Sequence, residues 1–283
     1  DYEKGEWTMK RGRVTTFPYI VWMLIFILVP LVLVLYYAVT VTTPAGTVFS
    51  LQNFEKFMQP IYIKVLVRSI ELALVSTIIC LLLGYPVAMI LSGRDLSKKN
   101  ILVLLFVIPM WMNFLLRTYA WMTLLEKKGL INTVLGFIGL PQINILYTDS
   151  AVILGMVYNF LPFMVLPIFS VMSKIDKSII EAAEDLGSNS FTVFRKITLP
   201  LSLPGVVSGI TMVFMPALTT FIISKLLGGS QYTLIGNLIE DQFMRVYDWN
   251  FGSALSIIMM LLIVISMAVM SRYDREDAGG GLF

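Results

Sequence analysis

Residues 176 to 205 read DKSIIEAAEDLGSNSFTVFRKITLPLSLPG, and they stand between two long apolar runs. Asp176 is suited to cap a helix that begins at Lys177. Ile179, Ala183 and Leu186 then share one apolar face, with Ile180 and Ala182 beside it, while Glu181, Glu184 and Asp185 cover the rest. Gly187 is the residue type that closes a helix in a left-handed turn. Ser188 or Ser190 can start a second helix, with Phe191, Phe194 and Ile197 recurring at threes before Pro200 ends it. Two short helices joined by a sharp turn follow. Ala182 and Ala183 carry almost no side chain and would let another surface come close. Composition and periodicity leave two readings open, a linker resting on its own bundle and a docking element.

Outward from this loop the chain is dominated by apolar runs. The run before it is residues 151–172 and the run after it is 201–227; further runs are 17–39, 70–91, 101–116 and 251–270. About twenty apolar residues in a helix cross the ~30 Å hydrocarbon core of a bilayer. The whole chain of 283 residues is 57% hydrophobic and 14% charged, with a mean hydropathy of +0.82. A soluble domain carries roughly 25% charged residues. The expected fold is therefore all-α, a polytopic membrane protein with six transmembrane helices. The first run is too long for the apolar core of a signal peptide and is read as a retained span.

With the N-terminus in the cytoplasm, thirteen of the 21 basic residues fall inside, among them Lys10, Arg11, Arg13, Arg94, Lys98, Lys99 and Arg195. That bias supports both termini inside. The expected organisation is a cytoplasmic segment 1–16, a six-span domain 17–272 with the inside loop at 173–200, and a cytoplasmic tail 273–283. The outside segments, about 40–69, 117–150 and 228–250, hold apolar stretches too short to span and read as short interfacial helices. Tyr36, Tyr37, Trp111, Tyr119, Trp121, Trp249 and Tyr273 lie near span ends, where aromatic rings anchor at the interface. Of the prolines inside the runs, Pro162 in Asn159-Phe160-Leu161-Pro162 is the best candidate for a bend in the pathway.

The chain has no histidine and a single cysteine, Cys80, inside an apolar run. No metal cluster of His or Cys and no intrachain disulfide can be built from these, and no catalytic set stands out. A net charge of +3 without a basic aromatic tract argues against nucleic acid. Gly228-Gly229-Ser230 lacks the lysine of a phosphate loop, so nucleotide hydrolysis by this chain is not expected.

Glu181-Ala182-Ala183, Gly187, Ile197, Leu199 and Pro200 form the pattern EAA, three residues, G, nine residues, I, one residue, LP. That pattern resembles the signature loop of ATP-binding-cassette importer permeases of type I (MetI-like). Leu83-Gly84-Tyr85-Pro86, the stretch PMWMNFLLRTY from Pro109 to Tyr119, Leu161-Pro162-Phe163-Met164, Leu227-Gly228-Gly229 and Ile235-Gly236-Asn237 resemble the spermidine/putrescine (PotB type) branch in order along the chain. The resemblance implies that the first loop helix is a coupling helix seated on a separate ATPase subunit, with those seven residues at the docking site. It implies further an ATPase dimer carrying ATP and Mg2+, a second homologous permease subunit, an extracellular solute-binding protein and a place in the bacterial plasma membrane. No cofactor is expected on this chain itself.

A polyamine carries several positive charges on flexible apolar segments, so a path for it needs dispersed acidic or carbonyl oxygens and aromatic faces. Candidate pathway residues are Glu71, Trp111, Tyr119, Tyr158 and Asn159, with Glu240, Asp241 and Asp248 guiding cations at the outer mouth. Glu71 has a second reading, a salt bridge to Arg68. Arg68 and Arg117, if unpaired, would repel such a cargo. Other small solutes remain open within the importer class. An ion-coupled secondary transporter is the rival, although the assigned spans lack mid-membrane carboxylates and no internal repeat is evident.

Overall fold

The computed structural model describes residues 17–44, 46–93, 101, 103–104, 106–229 and 233–279, with side chains through residue 270. The segment 1–16, the basic residues Arg94, Lys98 and Lys99, Ser230, the side chains of Arg272, Tyr273 and Arg275, and residues 280–283 lie outside the described residues. Helix α1 spans Phe17–Ala38, α3 Pro60–Ser92, α6 Asp149–Met172, α8 Ser190–Thr219 and α11 Trp249–Gly279. All five are long and apolar enough to cross a membrane. Shorter helices are α2 Gln52–Phe57, α4 Phe114–Leu125, α5 Leu130–Ile138, α7 Lys177–Asp185, α9 Ile222–Leu227 and α10 Ile235–Asp241. The chain divides into two compact units.

The first unit takes in residues 1–62 and 239–262. Helix α1 has one buried residue, Ala38, and shows apolar side chains along its length, as lipid requires. Ala38 packs with Ala254 and Ile257 of α11, beside Val34 and Phe54. After α1 comes a feature that departs from the all-helical expectation. Strand β1 (Thr40–Thr43) pairs antiparallel with β2 (Gly46–Phe49), Thr40 opposite Phe49. Val41, Thr42 and Thr43 are β-branched, and Pro44 and Gly46 turn the chain, with Gly46 at φ +122°. The last carbonyls of α1 lack helical N–H donors, and two side-chain amides donate to them and to Thr40 O in β1. Asn53 donates to Ala38 O (3.2 Å) and Thr40 O (2.9 Å), and Asn250 donates to Tyr37 O (3.1 Å) and Thr40 O (2.8 Å).

The second unit takes in residues 63–238 and 263–283. Its most extensive helix contact joins α6 to α8. The reason is a small-residue seam, Gly205 and Gly209 four apart on α8. A Cβ on Gly205 would lie 2.9 Å from Pro167 O and 3.0 Å from Ile168 Cα; one on Gly209 would lie 3.1 Å from Met164 O. On α3, a Cβ at Gly84 would lie 3.0 Å from Met164 Cγ, so α6 is approached closely from two helices. Buried amide chemistry fastens the short helices α9 and α10. Asn237 Oδ1 accepts from Leu234 N (3.1 Å) and Ser224 Oγ (2.6 Å), and its Nδ2 donates to Phe221 O (2.8 Å). Ser69 of α3 accepts from Ile235 N (2.8 Å).

Several span boundaries differ from the sequence reading. The third run, expected as one helix over 101–116, breaks. Ile108–Trp111 forms a 3-10 turn, Met112 and Asn113 are extended (ψ 146° and 126°), and α4 starts afresh at Phe114. Pro109 lacks an amide donor, and Asn113 Oδ1 captures the N–H groups of Leu115 (2.8 Å) and Leu116 (3.4 Å), so a new N-terminus is better satisfied than a continued helix. The fifth run ends at Thr219, and residues 222–227 form α9. Helix α3 begins at Pro60, so Lys64 and Arg68 lie in the helix. Pro162, the candidate for a bend, lies with Pro167 inside the continuous α6. Pro200 does not close a helix. Residues Phe194–Thr198 widen into a π turn, Leu199 N–H bonding Phe194 O, and the helix passes through Pro200 into the membrane run. The wider turn relieves the clash that a proline ring makes with the preceding carbonyls.

Candidate functional site

Helix α7 is fixed at both ends by local hydrogen bonds. Asp176 Oδ1 accepts from Ser178 N at 3.0 Å. That backbone bond first, then the Ser178 hydroxyl, holds the Asp176 carboxyl below the usual carboxylate range. At the other end Gly187 sits at φ +83°, Gly187 N donates to Glu184 O (2.9 Å) and Ser188 N to Ala183 O (3.0 Å). Those two bonds with a left-handed glycine are a Schellman closure. Asn189 begins α8, its Oδ1 accepting from Thr192 N at 2.8 Å, a role expected of a neighbouring serine. Only residues 173–176 separate α7 from α6, and only 186–189 separate it from α8.

No residue of α7 is buried. Glu181 and Ala182 are exposed and Ala183 is half-buried. The apolar side chains point out as well: Ile179 is 46% exposed, Phe191 68% and Leu186 88%. Of the remaining loop residues, Ile197 in the π turn and Leu199 are half-buried, and Gly187 and Pro200 are exposed. An amphipathic helix that rested on its own bundle would bury its apolar side. This one does not.

The candidate pathway residues are not gathered. Among the described residues, no hydrogen bond, ion pair or ring contact joins any two of Glu71, Trp111, Tyr119, Tyr158 and Asn159. Glu71 is exposed on α3. Arg68 holds both Asp149 oxygens, at 2.7 and 2.9 Å, because Asp149 opens α6 beside it. Trp111 is 77% exposed in the break before α4, and Tyr119 is exposed on α4. Tyr158 meets Trp121 edge-on, ring centroids 5.2 Å apart, a partner that the sequence reading had placed only as an interface anchor. Asn159 is buried; its Nδ2 donates to Gly155 O (2.9 Å), while Oδ1 has no partner among the described residues. Arg117 is buried too, with Nε unpartnered among the described residues.

At the outer-mouth candidates, charge is already partly spoken for. Asp241 lies 3.5 Å from Arg245 one turn on, and Asp248 lies 3.1 Å from Lys56. Glu240 is half-buried. Asp248 also caps the start of α11, Oδ1 accepting from Phe251 N at 3.0 Å. Around it lies a recess of about 1020 Å³, formed by Tyr37, β1, α2 and residues 247–250. The sequence reading named the segments that build this recess, 40–69 and 228–250, but not the recess itself. Its walls are brought together by Asn53 and Asn250, which look in sequence like ordinary loop amides.

The model for the family described as "Binding-protein-dependent transport system inner membrane component" matches residues 7–276. The chain belongs to that family. It is thus a membrane permease component of a transport system, not an enzyme, and the bacterial inner membrane is its setting. It is 37% identical over 259 residues to the spermidine/putrescine transport system permease protein PotB of Escherichia coli (strain K12), covering 90% of this chain and 94% of that one. Among solved structures, a chain from a bacterial ABC transporter involved in the import of the acidic polysaccharide alginate superposes with a TM-score of 0.81 at 16% identity, over 96% of both chains. A chain of the MetNI methionine ABC transporter, inward facing, gives a TM-score of 0.56 at 18% identity, over 77% of this chain and 99% of that one. The fold of this permease component is thereby the MetI-like fold that the loop pattern suggested. Its polar buried set, Asn237, Ser224, Ser69 and Arg117, was not singled out from sequence as a group, because isolated Ser and Asn in apolar runs carry no spacing signal.

Proposed function

We propose that this chain is the permease subunit of an ATP-driven, binding-protein-dependent importer of polyamines, spermidine and putrescine among them. It forms half of the translocation path beside a second homologous permease, with both termini inside. A separate ATPase dimer binds ATP and Mg2+, and an extracellular solute-binding protein delivers the cargo. The observation that carries the coupling half of this reading is the bare, doubly capped α7. Glu181, Ala182, Ala183 and Gly187 present a preformed helix whose apolar side faces outward, which suits a groove on another subunit. The cargo half is supported by the likeness to PotB over most of both chains.

A displacement of α7 has only a few residues in which to dissipate before it reaches α6 and α8. Those helices are packed backbone to backbone through Gly205 and Gly209, so they respond as a pair. ATP then drives transport to the extent that it binds the closed ATPase arrangement better than the open one. Ile197, Leu199 and Pro200 sit at the root of α8, where the π turn passes the motion into the span. An ion-coupled carrier is disfavoured, since among the described residues no Asp or Glu is buried. Permeation by another small solute is the alternative within the same class, and the buried Arg117 favours a carboxylate-bearing one.

The test is uptake into proteoliposomes holding the complete assembly, with spermidine, putrescine, basic amino acids and anionic controls in competition. Saturable, ATP-dependent polyamine uptake that Glu71→Gln weakens is the expected result. Uptake restricted to non-amine solutes rejects the cargo. Normal polyamine uptake by Glu71→Gln removes that residue from the path.

A further inference from the structure

The recess beside Asp248 contains an ammonium already. Lys56 Nζ lies 3.1 Å from Asp248 Oδ2 and 4.0 Å from the centroid of the Phe251 ring. A carboxylate on one side and an aromatic face on the other is the environment that recognises an alkylammonium ion. The charged groups lining the recess are two carboxylates, Glu55 and Asp248, and one cation, Lys56. Glu55 is exposed, and among the described residues its side chain has no ion-pair or hydrogen-bond partner. The recess is therefore net negative by one charge with Lys56 in place. Tyr37 and Trp249 add further ring surface, their centroids 6.3 Å apart, and both are partly exposed. The frame is stiff, because Asn53 and Asn250 tie its walls to the end of α1 and to Thr40 of β1.

We propose that this recess is an ammonium-exchange site for cationic amines, in which Lys56 occupies one alkylammonium position and an arriving amine displaces it. The displaced Lys56 side chain moves to solvent, which its partial exposure of 38% permits. One ammonium of the amine then lies between Asp248 and the Phe251 ring, and another is met by Glu55 near the Tyr37 and Trp249 faces. The tethered lysine keeps the site weak, as a waypoint requires: an amine that must compete with a built-in ammonium is held briefly and released. This inference rests on the polyamine reading for its ligand class and on an outward-facing recess. The arrangement itself is independent of that reading.

The experiment is calorimetric titration of spermidine and of 1,4-diaminobutane into the complete assembly in phosphatidylcholine nanodiscs, at fixed ionic strength, with magnesium chloride as a charge control. Lys56→Gln should bind the amines roughly tenfold more tightly, since the internal competitor is gone. Asp248→Asn keeps the cap of α11, because asparagine also accepts at that position, and should weaken binding by about the same factor. Glu55→Gln should weaken the binding of both amines. Unchanged or weaker amine binding in Lys56→Gln overturns the proposal, as does equal strengthening for magnesium. If the variants alter only the affinity of the solute-binding protein, the recess is a protein contact and the proposal fails. Polyamine uptake by the parent assembly, measured in parallel, separates these outcomes from failure of the cargo assignment.

Discussion

Replacing Gly187 isolates one energy. At φ +83° a side chain is strained, yet a Cβ built there meets nothing within 4 Å, so no steric clash with neighbours is added. Alanine at this position therefore costs the backbone strain alone, about 1–2 kcal/mol. Asparagine, which tolerates the left-handed region, costs less. Helix α7 has nine residues, and none is buried, so packing within this chain does little to resist its fraying. The loss falls directly on the helix population, a shift of roughly 5- to 30-fold. If docking needs the helix formed, the apparent affinity for the ATPase drops by up to the same proportion. Hydrogen exchange of the Leu186, Gly187 and Ser188 amides in the assembly should accelerate by that factor in Gly187→Ala. ATPase activity stimulated by the solute-binding protein should fall in the order glycine, asparagine, alanine. Unchanged exchange and coupling in Gly187→Ala would refute the reasoning, and so would an equal loss in Gly187→Asn, which would mean that the glycine matters by closeness to a partner rather than by its backbone.

Gly209→Ala places a Cβ 2.8 Å from Met164 Sδ and 3.1 Å from Met164 O, and should lower the thermal stability of the detergent-solubilised assembly by about 1–3 kcal/mol; an unshifted melting curve means the α6–α8 seam yields freely. Asn237→Ala removes three hydrogen bonds and strands Leu234 N–H and Phe221 O, a loss of roughly 2–4 kcal/mol that should appear as faster proteolysis between α9 and α10. For Asp176 the folded carboxyl is depressed, so its contribution is complete above the ordinary carboxylate pKa and is lost as pH falls through the lower folded value. Exchange at Ser178 should thus speed up only at strongly acidic pH, and Asp176→Asn should abolish that acid step.

The loop was the most legible part of the chain because its signals are local. Asp176, Gly187 and the alanine pair each act within one turn of helix, and Asp176 and Gly187 take up in the structure the cap roles that their chemistry suggests. The apolar runs were legible for the same reason, bulk hydrophobicity over twenty residues. Their ends were not. Asn113 begins a new helix where apolar composition alone runs on, and Pro200 is absorbed by a π turn that no residue pattern announces. The hairpin 40–49 depends on Asn53 and Asn250, residues more than ten and two hundred positions away, so its strands could not be read from their own short stretch. Arg68 also bonds Asp149, eighty-one positions on, a partner that no local spacing announces.

The most direct test of the account places a reporter on α7. Glu184 is exposed beside the alanine pair and Cys80 is buried, so Glu184→Cys in a Cys80→Ala background gives a single site for a photoreactive maleimide. After assembly with the ATPase in proteoliposomes, illumination should join this chain to the ATPase subunit, in a yield that changes when ATP is added. Adding Ala183→Trp should remove both the cross-link and ATP-dependent uptake. Labelling confined to lipid or to this chain itself, with uptake still driven by ATP, would contradict the claim that α7 is where the energy enters.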